Sequence, residues 1–238
     1  MNDRFTRIRA LVGADGFERL QNSTVMVVGC GAVGSMAIEA LARSGIGRLI
    51  IVDFDTVDIS NINRQLIALS STVGAKKVDI AAARVRDINP DIDVIALDMF
   101  FDGATMLEYK PDFVIDAIDT LESKIALYRW CRANDVPFAA SMGAALKSDP
   151  GQVRVGTILK TSVCPLAARV RKIVRNSDIG DFPVVFSTEV ANKSAAAPGR
   201  VFGSMMMVTG VFGLMLANIA VGTIMDGVSG NAQTSGAL

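Results

Sequence analysis

The 238-residue chain contains no histidine. That absence excludes Ser-His-Asp triads, Cys-His pairs, H-E-x-x-H metal sites and dehydrogenases that use a histidine acid. Any chemistry must be carried by carboxylates, lysines, arginines and amides. Cysteine is scarce. Cys30, Cys131 and Cys164 are far apart and form no Cys-x-x-Cys pair and no zinc set. A reducing, cytoplasmic setting is therefore expected. Net charge is also missing, since 24 Lys and Arg balance 24 Asp and Glu. A nucleic acid would have to be held by a local basic patch, not by the field of the whole molecule. The start of the chain, Met1 to Phe5, has no apolar run, so no signal peptide is expected. There is no internal repeat and no linker that forces a second domain. Half of the residues are apolar, which suffices for one large α/β core.

The chain is organised around Thr24 to Gly34, a β-branched and apolar run that ends in Gly29, Gly31 and Gly34. The order strand, glycine turn, helix gives each glycine its own task. Gly29 permits a tight turn, Gly31 lets backbone approach a pyrophosphate, and Gly34 lets the helix pack close to the strand. The helix start then offers free N–H groups and a positive dipole end to a phosphate. A second strand, Arg48 to Val52, delivers Asp53 to where it can accept a ribose hydroxyl. This pattern marks a nucleotide site but does not separate NAD, FAD and ATP.

The remaining segments alternate strand and helix, which predicts a Rossmann-like, mostly parallel sheet with flanking helices. Met1 to Asn22 forms one or two short helices carrying Arg4, Arg7, Arg9 and Arg19, either a solvated basic face or an arm toward a phosphate. The stretch Asp53 to Gln65, which includes Asp55, Asn61, Asn63 and Arg64, is dense in amides and acids and follows a strand end, where ligands bind. A helix is expected from Val73 to Ile88 with Lys76 and Lys77 in its first turn, where an anion would offset their conflict with the dipole. A strand from Phe113 to Asp119 places Asp119 at the same sheet edge as Gly31 and Asp53, suited to a Mg²⁺ contact, while Asp116 reads as a loop-pinning acid. After Ser141 the pattern predicts an antiparallel edge strand at Val153 to Ile158 and a last strand at Val184 to Glu189, with a small-residue loop over Asn192 to Gly199. Between those strands, a helix opened by Pro165 carries Arg169, Arg171, Lys172 and Arg175, a solvated face or an RNA phosphate contact. Val201 to Met225 has no charge and forms a long apolar helix, read as core or subunit interface in preference to membrane contact.

Four ordered motifs carry a resemblance. They are Val-Val-Gly-x-Gly-x-Val-Gly-Ser, Asp-x-Asp-x-Val-x-x-Ser-Asn-x-Asn-Arg-Gln, Val-Gly-x-x-Lys and Asp-Ala-Ile-Asp. Together they resemble the ThiF/MoeB/ubiquitin-activating-type adenylating superfamily. Within it, Leu41 to Gly47, Ile88-Asn89-Pro90, Pro165 to Ala168 and Val185 to Glu189 are similar to the branch that dehydrates threonylcarbamoyladenosine in tRNA. The resemblance implies one adenylating domain over 1–225; the small polar residues beyond it read as a disordered tail over 226–238. It implies that Gly31 lies against ATP phosphates and that Asp53 holds the ribose. Asn61 and Arg64 bind and polarise the phosphates with Gln65 beside them, Lys77 reaches the phosphates, and Asp119 is the Mg²⁺ acid. Gly29, Gly34, Asp55 and Asn63 complete the expected nucleotide set. Arg7 matches an arginine that reaches the partner subunit's ATP, which implies a homodimer. A sulfur-transfer protein is a further implied partner. Ala32 stands where the family often has glycine, and the segment 178–184 is short for a loop that crosses over substrate.

The expected chemistry is attack by a carboxylate on the α-phosphorus of ATP, which needs alignment and charge neutralisation but little proton transfer. That agrees with a chain without histidine. Adenylation of the carboxylate of threonylcarbamoyladenosine in tRNA, then ring closure, is the leading expectation. Adenylation of the C-terminal glycine of a ubiquitin-like sulfur carrier is the alternative. An NAD-binding oxidoreductase or a silent nucleotide-binding module is a third reading, disfavoured by the cations at Arg64 and Lys77.

Overall fold

A computed structural model of the chain describes residues 3–103, 110–192, 196–197 and 201–227. Its centre is a seven-stranded sheet of strands β1 (Thr24–Val28), β2 (Arg48–Asp53), β3 (Asp93–Asp98), β4 (Phe113–Asp116), β5 (Phe138–Ser141), β6 (Val153–Thr157) and β7 (Pro183–Ser187). The spatial order is β3-β2-β1-β4-β5-β7-β6. All neighbours run parallel except β6, which pairs antiparallel to β7 at the edge. The expected fold class is thus the observed one.

Strand side chains alternate between two cores, as a period of two requires. Val25 and Val27 of β1 face one apolar cluster, while Met26 and Val28 face the other. Helices α1 (Thr6–Gln21), α2 (Ala32–Arg43) and α3 (Lys77–Ile88) contribute Leu20, Ala37, Leu41, Val78 and Val85 to the first cluster. Helices α4 (Leu121–Ala133) and α5 (Pro165–Val174) contribute Leu127, Tyr128, Val170 and Val174 to the second. α1 is kinked at Gly13, whose φ of 76° departs from the helix.

The apolar C-terminal helix is α6 (Met206–Asp226), and it belongs to the core. Val208, Phe212, Leu216, Ala217 and Ala220 are buried, whereas Met207 and Leu214 are exposed. A methyl group on Gly213 would be driven into the Val33 carbonyl oxygen, so this glycine lets α6 lie close against α2. By length and composition α6 could cross a membrane, yet half of its most apolar window is buried inside the fold.

The larger differences from the sequence reading have local reasons. α3 starts at Lys77, not near Val73, because Gly74 adopts φ 88° and the 55–57 and 74–77 backbones bond to each other instead. β4 stops at Asp116, because its carboxylate accepts the Ile118 N–H at 3.0 Å and turns the chain out of the sheet. The expected loop over Asn192 to Gly199 contains β8 (Ala196–Ala197), which pairs antiparallel with β9 (Val201–Phe202), so the apolar helix expected from Val201 starts only at Met206; 193–195 and 198–200 lie outside the described residues. Of the tail expected over 226–238, Asp226 closes α6 and Gly227 caps it, while 228–238 lie outside the described residues.

Candidate active site

The strand order reverses between β1 and β4, and in open α/β sheets ligands bind at the carboxyl ends of strands at such a switch point. A cleft of about 840 Å³ opens there. Gly29, Gly31, Asp53, Asp55, Asn61, Arg64, Gln65, Lys77 and Asp119 all line it. The expected nucleotide residues from four separate segments are brought together by the fold.

The glycines differ as expected. Gly29 has φ 100°, and a methyl group there would sit 2.6 Å from the Ala117 carbonyl oxygen. Gly31 is the N-cap residue of α2, with only Gln65 Nε2 near at 3.9 Å, which leaves its backbone open to a ligand. Gly34 does not line the cleft. It lies beneath, where a side chain would collide with the Gly29 carbonyl oxygen. Its contribution is close helix packing, not ligand contact.

Asp53 holds the turn in place. Its Oδ2 accepts the Cys30 N–H at 2.5 Å and its Oδ1 accepts the Asp55 N–H at 2.8 Å. Each oxygen keeps a second lone pair, so a ribose hydroxyl can still bind. Asn61 is buried, and its Oδ1 accepts the Asp58 N–H at 3.2 Å. Gln65 is also buried, and its Oε1 has no hydrogen-bond partner. A buried acceptor left unpaired costs about 1–3 kcal/mol, so this oxygen marks a position that a ligand donor would complete.

Cations face these groups. Arg64 uses Nη1 to donate to the Ser60 carbonyl at 2.8 Å and to Asn63 Oδ1 at 3.0 Å, which anchors the guanidinium at one nitrogen. Lys77 is buried at the first turn of α3 and donates to Asp55 Oδ2 at 2.7 Å. Asp55 therefore acts on the cleft through Lys77. Lys76, considered with it for an anion, instead pairs with Asp98. Asp119 is exposed in the cleft, with no protein hydrogen bond or ion pair among the described residues.

Besides Gly34, two expected residues stand outside the cleft wall. Asn63 donates from Nδ2 to the Ser204 carbonyl at 2.9 Å and accepts from Arg64, so it positions that arginine instead of lining the site. Arg7 is exposed on α1 and does not line this chain's cleft. The segment 178–184, short for a loop that crosses over substrate, contributes nothing to the wall; Ile179 and Asp181 carbonyls accept from Arg132 of α4.

Among the described residues no group of three or more acids, cysteines or histidines could hold a metal alone. Mg²⁺ bound to a nucleotide needs only one or two carboxylates, because phosphate oxygens and water complete its shell. A single free carboxylate such as Asp119 beside a cation-lined cleft fits that demand.

Sequence reasoning missed two features. Lys147 follows β5, lines the cleft and is buried, donating to the Gly143 carbonyl at 2.9 Å; burial pushes its ammonium below the usual lysine range. Its place after a strand's carboxyl end was the available signal. The second is a buried cluster under the cleft floor. Lys124 donates to Asp116 Oδ2 and to the Ser141 carbonyl, each at 2.7 Å, and Tyr128 donates to the same Asp116 oxygen at 2.5 Å. Desolvation raises the Tyr128 hydroxyl well above the usual tyrosine range. Asp116 also pins the Ile118 N–H, so the cluster fixes the turn that presents Asp119.

Comparison with known proteins agrees with this geometry. The model of the ThiF family matches residues 5–236. The chain is 49% identical over 193 residues to the tRNA threonylcarbamoyladenosine dehydratase of Bacillus subtilis, covering 79% of this chain and 76% of that protein. It is 36% identical over 251 residues to the Escherichia coli protein of that name, covering 93% of each. The crystal structure of E. coli tRNA N6-threonylcarbamoyladenosine dehydratase in complex with ATP superposes with a TM-score of 0.86 at 36% identity, covering 94% of both chains.

Proposed function

The chain belongs to the ThiF family, and from that premise we propose that it dehydrates threonylcarbamoyladenosine in tRNA in an ATP-dependent reaction. The observation that carries this reading is the convergence of Gly31, Asp53, Asn61, Arg64, Lys77 and Asp119 on one cleft, in a chain whose relatives bear that activity in their names.

The first step joins the substrate carboxylate to AMP. A carboxylate oxygen attacks the α-phosphorus, the bond to the bridging oxygen breaks, and pyrophosphate leaves. The second step closes a ring. The carbamoyl group of the same side chain attacks the activated carbonyl carbon, AMP departs with the former carboxylate oxygen, and one proton is released. The substrate loses the elements of one water.

The residues divide the work. Gly31 and the α2 N-terminus receive the phosphates, Asp53 the ribose, and Phe100 and Ile118 offer the base an apolar wall. Arg64 and Lys77 offset charge that builds on the phosphate oxygens. Mg²⁺, held by Asp119, would neutralise the leaving pyrophosphate. Asp55 keeps Lys77 aligned until the nucleotide arrives. We also assign a homodimer, with the exposed Met207 and Leu214 of α6 at a subunit contact and Arg7 directed to the partner's nucleotide. The protein acts in the cytoplasm, where its three free cysteines stay reduced.

The deciding experiment is mass analysis of nucleosides from modified tRNA after incubation with ATP and Mg²⁺. Loss of one water from the modified adenosine, dependent on ATP, is expected. Pyrophosphate exchange that occurs only with a ubiquitin-like carrier, and no change in tRNA, would overturn it. Inactive Arg7→Ala and Arg64→Ala proteins should regain part of their activity when mixed, if the dimer shares its sites.

A further inference from the structure

Some cations in this chain are already matched by a described acid. Arg43 and Arg84 meet Glu39, Arg48 meets Asp93, Lys76 meets Asp98, Lys77 meets Asp55, and Lys124 meets Asp116. One region gathers cations that are not. The side chains of Arg129 on α4 and of Arg169, Lys172 and Arg175 at α5 make no ion pair or hydrogen bond with any described residue, and all four residues are exposed.

These residues share a place. Arg129, Arg169 and Lys172 line an open groove between α4 and α5, over Leu121 and Ile173, and no carboxylate lines it. Arg175 continues the same face of α5 one turn beyond Lys172. In a chain of zero net charge, such a concentration of one sign is local. Like charges held together repel one another, and an anion laid along them relieves that repulsion. Arg169 lines both this groove and the nucleotide cleft, so the groove leads directly into the site. From Arg169 to Arg175 α5 advances about 9 Å, long enough to meet more than one phosphate of a nucleic acid strand.

We propose that the α4–α5 groove seats the RNA backbone next to the modified nucleotide, with Arg169 at the point where that nucleotide turns into the cleft. This rests on the tRNA reading above and adds the docking surface to it. The phosphates supply sequence-independent affinity, and the floor of Leu121 and Ile173 accommodates a sugar or base face.

The test is the triple variant R129A/K172A/R175A, which spares Arg169 because it borders the nucleotide cleft. Binding of tRNA is measured by fluorescence anisotropy over a range of salt, beside ATP binding and the KM for tRNA. Expected is a loss of tRNA affinity of ~10-fold or more and a log–log salt slope shallower by about 2–3, with ATP binding unchanged. The charge-preserving R129K/R175K variant should bind nearly as the parent does. Equal affinity and an equal salt slope for parent and triple variant overturn the proposal, as does a parent that does not bind tRNA. A parent that binds through this groove but removes no water from modified tRNA overturns the functional reading and leaves the docking surface standing.

Discussion

Two lysine–aspartate pairs in this molecule have the same length and opposite settings. Lys77 and Asp55 meet at 2.7 Å at the cleft, with side chains 6% and 49% exposed. Lys124 and Asp116 also meet at 2.7 Å, one layer below, and neither is exposed at all. Attraction between charges rises as water is excluded, but so does the cost of stripping each ion of its hydration. The inner pair is closed by further hydrogen bonds from Tyr128 and to the Ser141 carbonyl, which leaves no polar atom of either group wanting. The outer pair has an acid that water reaches, so in the proposed function it opens and lends its lysine to a phosphate. The same chemistry thus builds a fixed floor in one place and an adjustable contact in the other.

The largest effect expected from this contrast is on stability. Asp116→Ala strands the Lys124 ammonium in the core and should cost about 3–5 kcal/mol, read as a lower urea midpoint at an unchanged slope. Asp55→Ala should cost far less, since its side chain is half in water and Lys77 has the cleft beside it. Equal losses from the two would break the comparison.

Next is an effect on rate. Lys77→Ala should lower the adenylation rate by roughly 10²–10³-fold, the scale of losing one group that stabilises transition-state charge, while the urea midpoint moves little. ATP–pyrophosphate exchange in the presence of substrate reads this directly. Full exchange in the variant would reduce Lys77 to a structural role. A smaller stability effect belongs to Tyr128→Phe, which removes one hydrogen bond to a charged acceptor and should cost about 1.5–3 kcal/mol, without a change in the KM for ATP.

The contrast also explains what could be read from the sequence. The roles of Gly29, Gly31 and Gly34 are local properties of backbone, so their spacing was sufficient. Asp53, Lys77 and Asp119 were legible because each follows or precedes a recognisable element at a sheet edge. Lys124 was not, because a lysine in a helix is ordinarily solvated. Yet Leu121, Lys124, Ile125 and Tyr128 follow the spacing of one helix face, and that face packs on the sheet. Asp116 was read as a pinning acid, which its bond to the Ile118 N–H bears out, but its partners lie 8 and 12 residues away on another element. The start of α3 was misplaced because the 74–77 backbone finds its hydrogen bonds across the chain at 55–57.

The smallest effect sharpens the comparison from the solvent side. Glu39 of α2 sits between Arg43 and Arg84, at 2.7 and 2.6 Å. Burial by itself would raise its carboxyl, but hydrogen bonds from Arg84 and Arg43 outweigh that and hold it below the usual glutamate range. A carboxylate favoured in the folded state releases its proton earlier there than in the unfolded chain. Its contribution is therefore complete above the unfolded value, near pH 4.3, and is lost as pH falls through the lower folded value. Arg84 is 41% exposed, so water and salt screen this pair. Arg84→Ala should cost only about 0.5 kcal/mol at neutral pH and flatten the acid limb of stability, measured as urea midpoints between neutral pH and pH 3. A loss as large as that of Asp116→Ala would mean that burial does not divide the ion pairs of this protein.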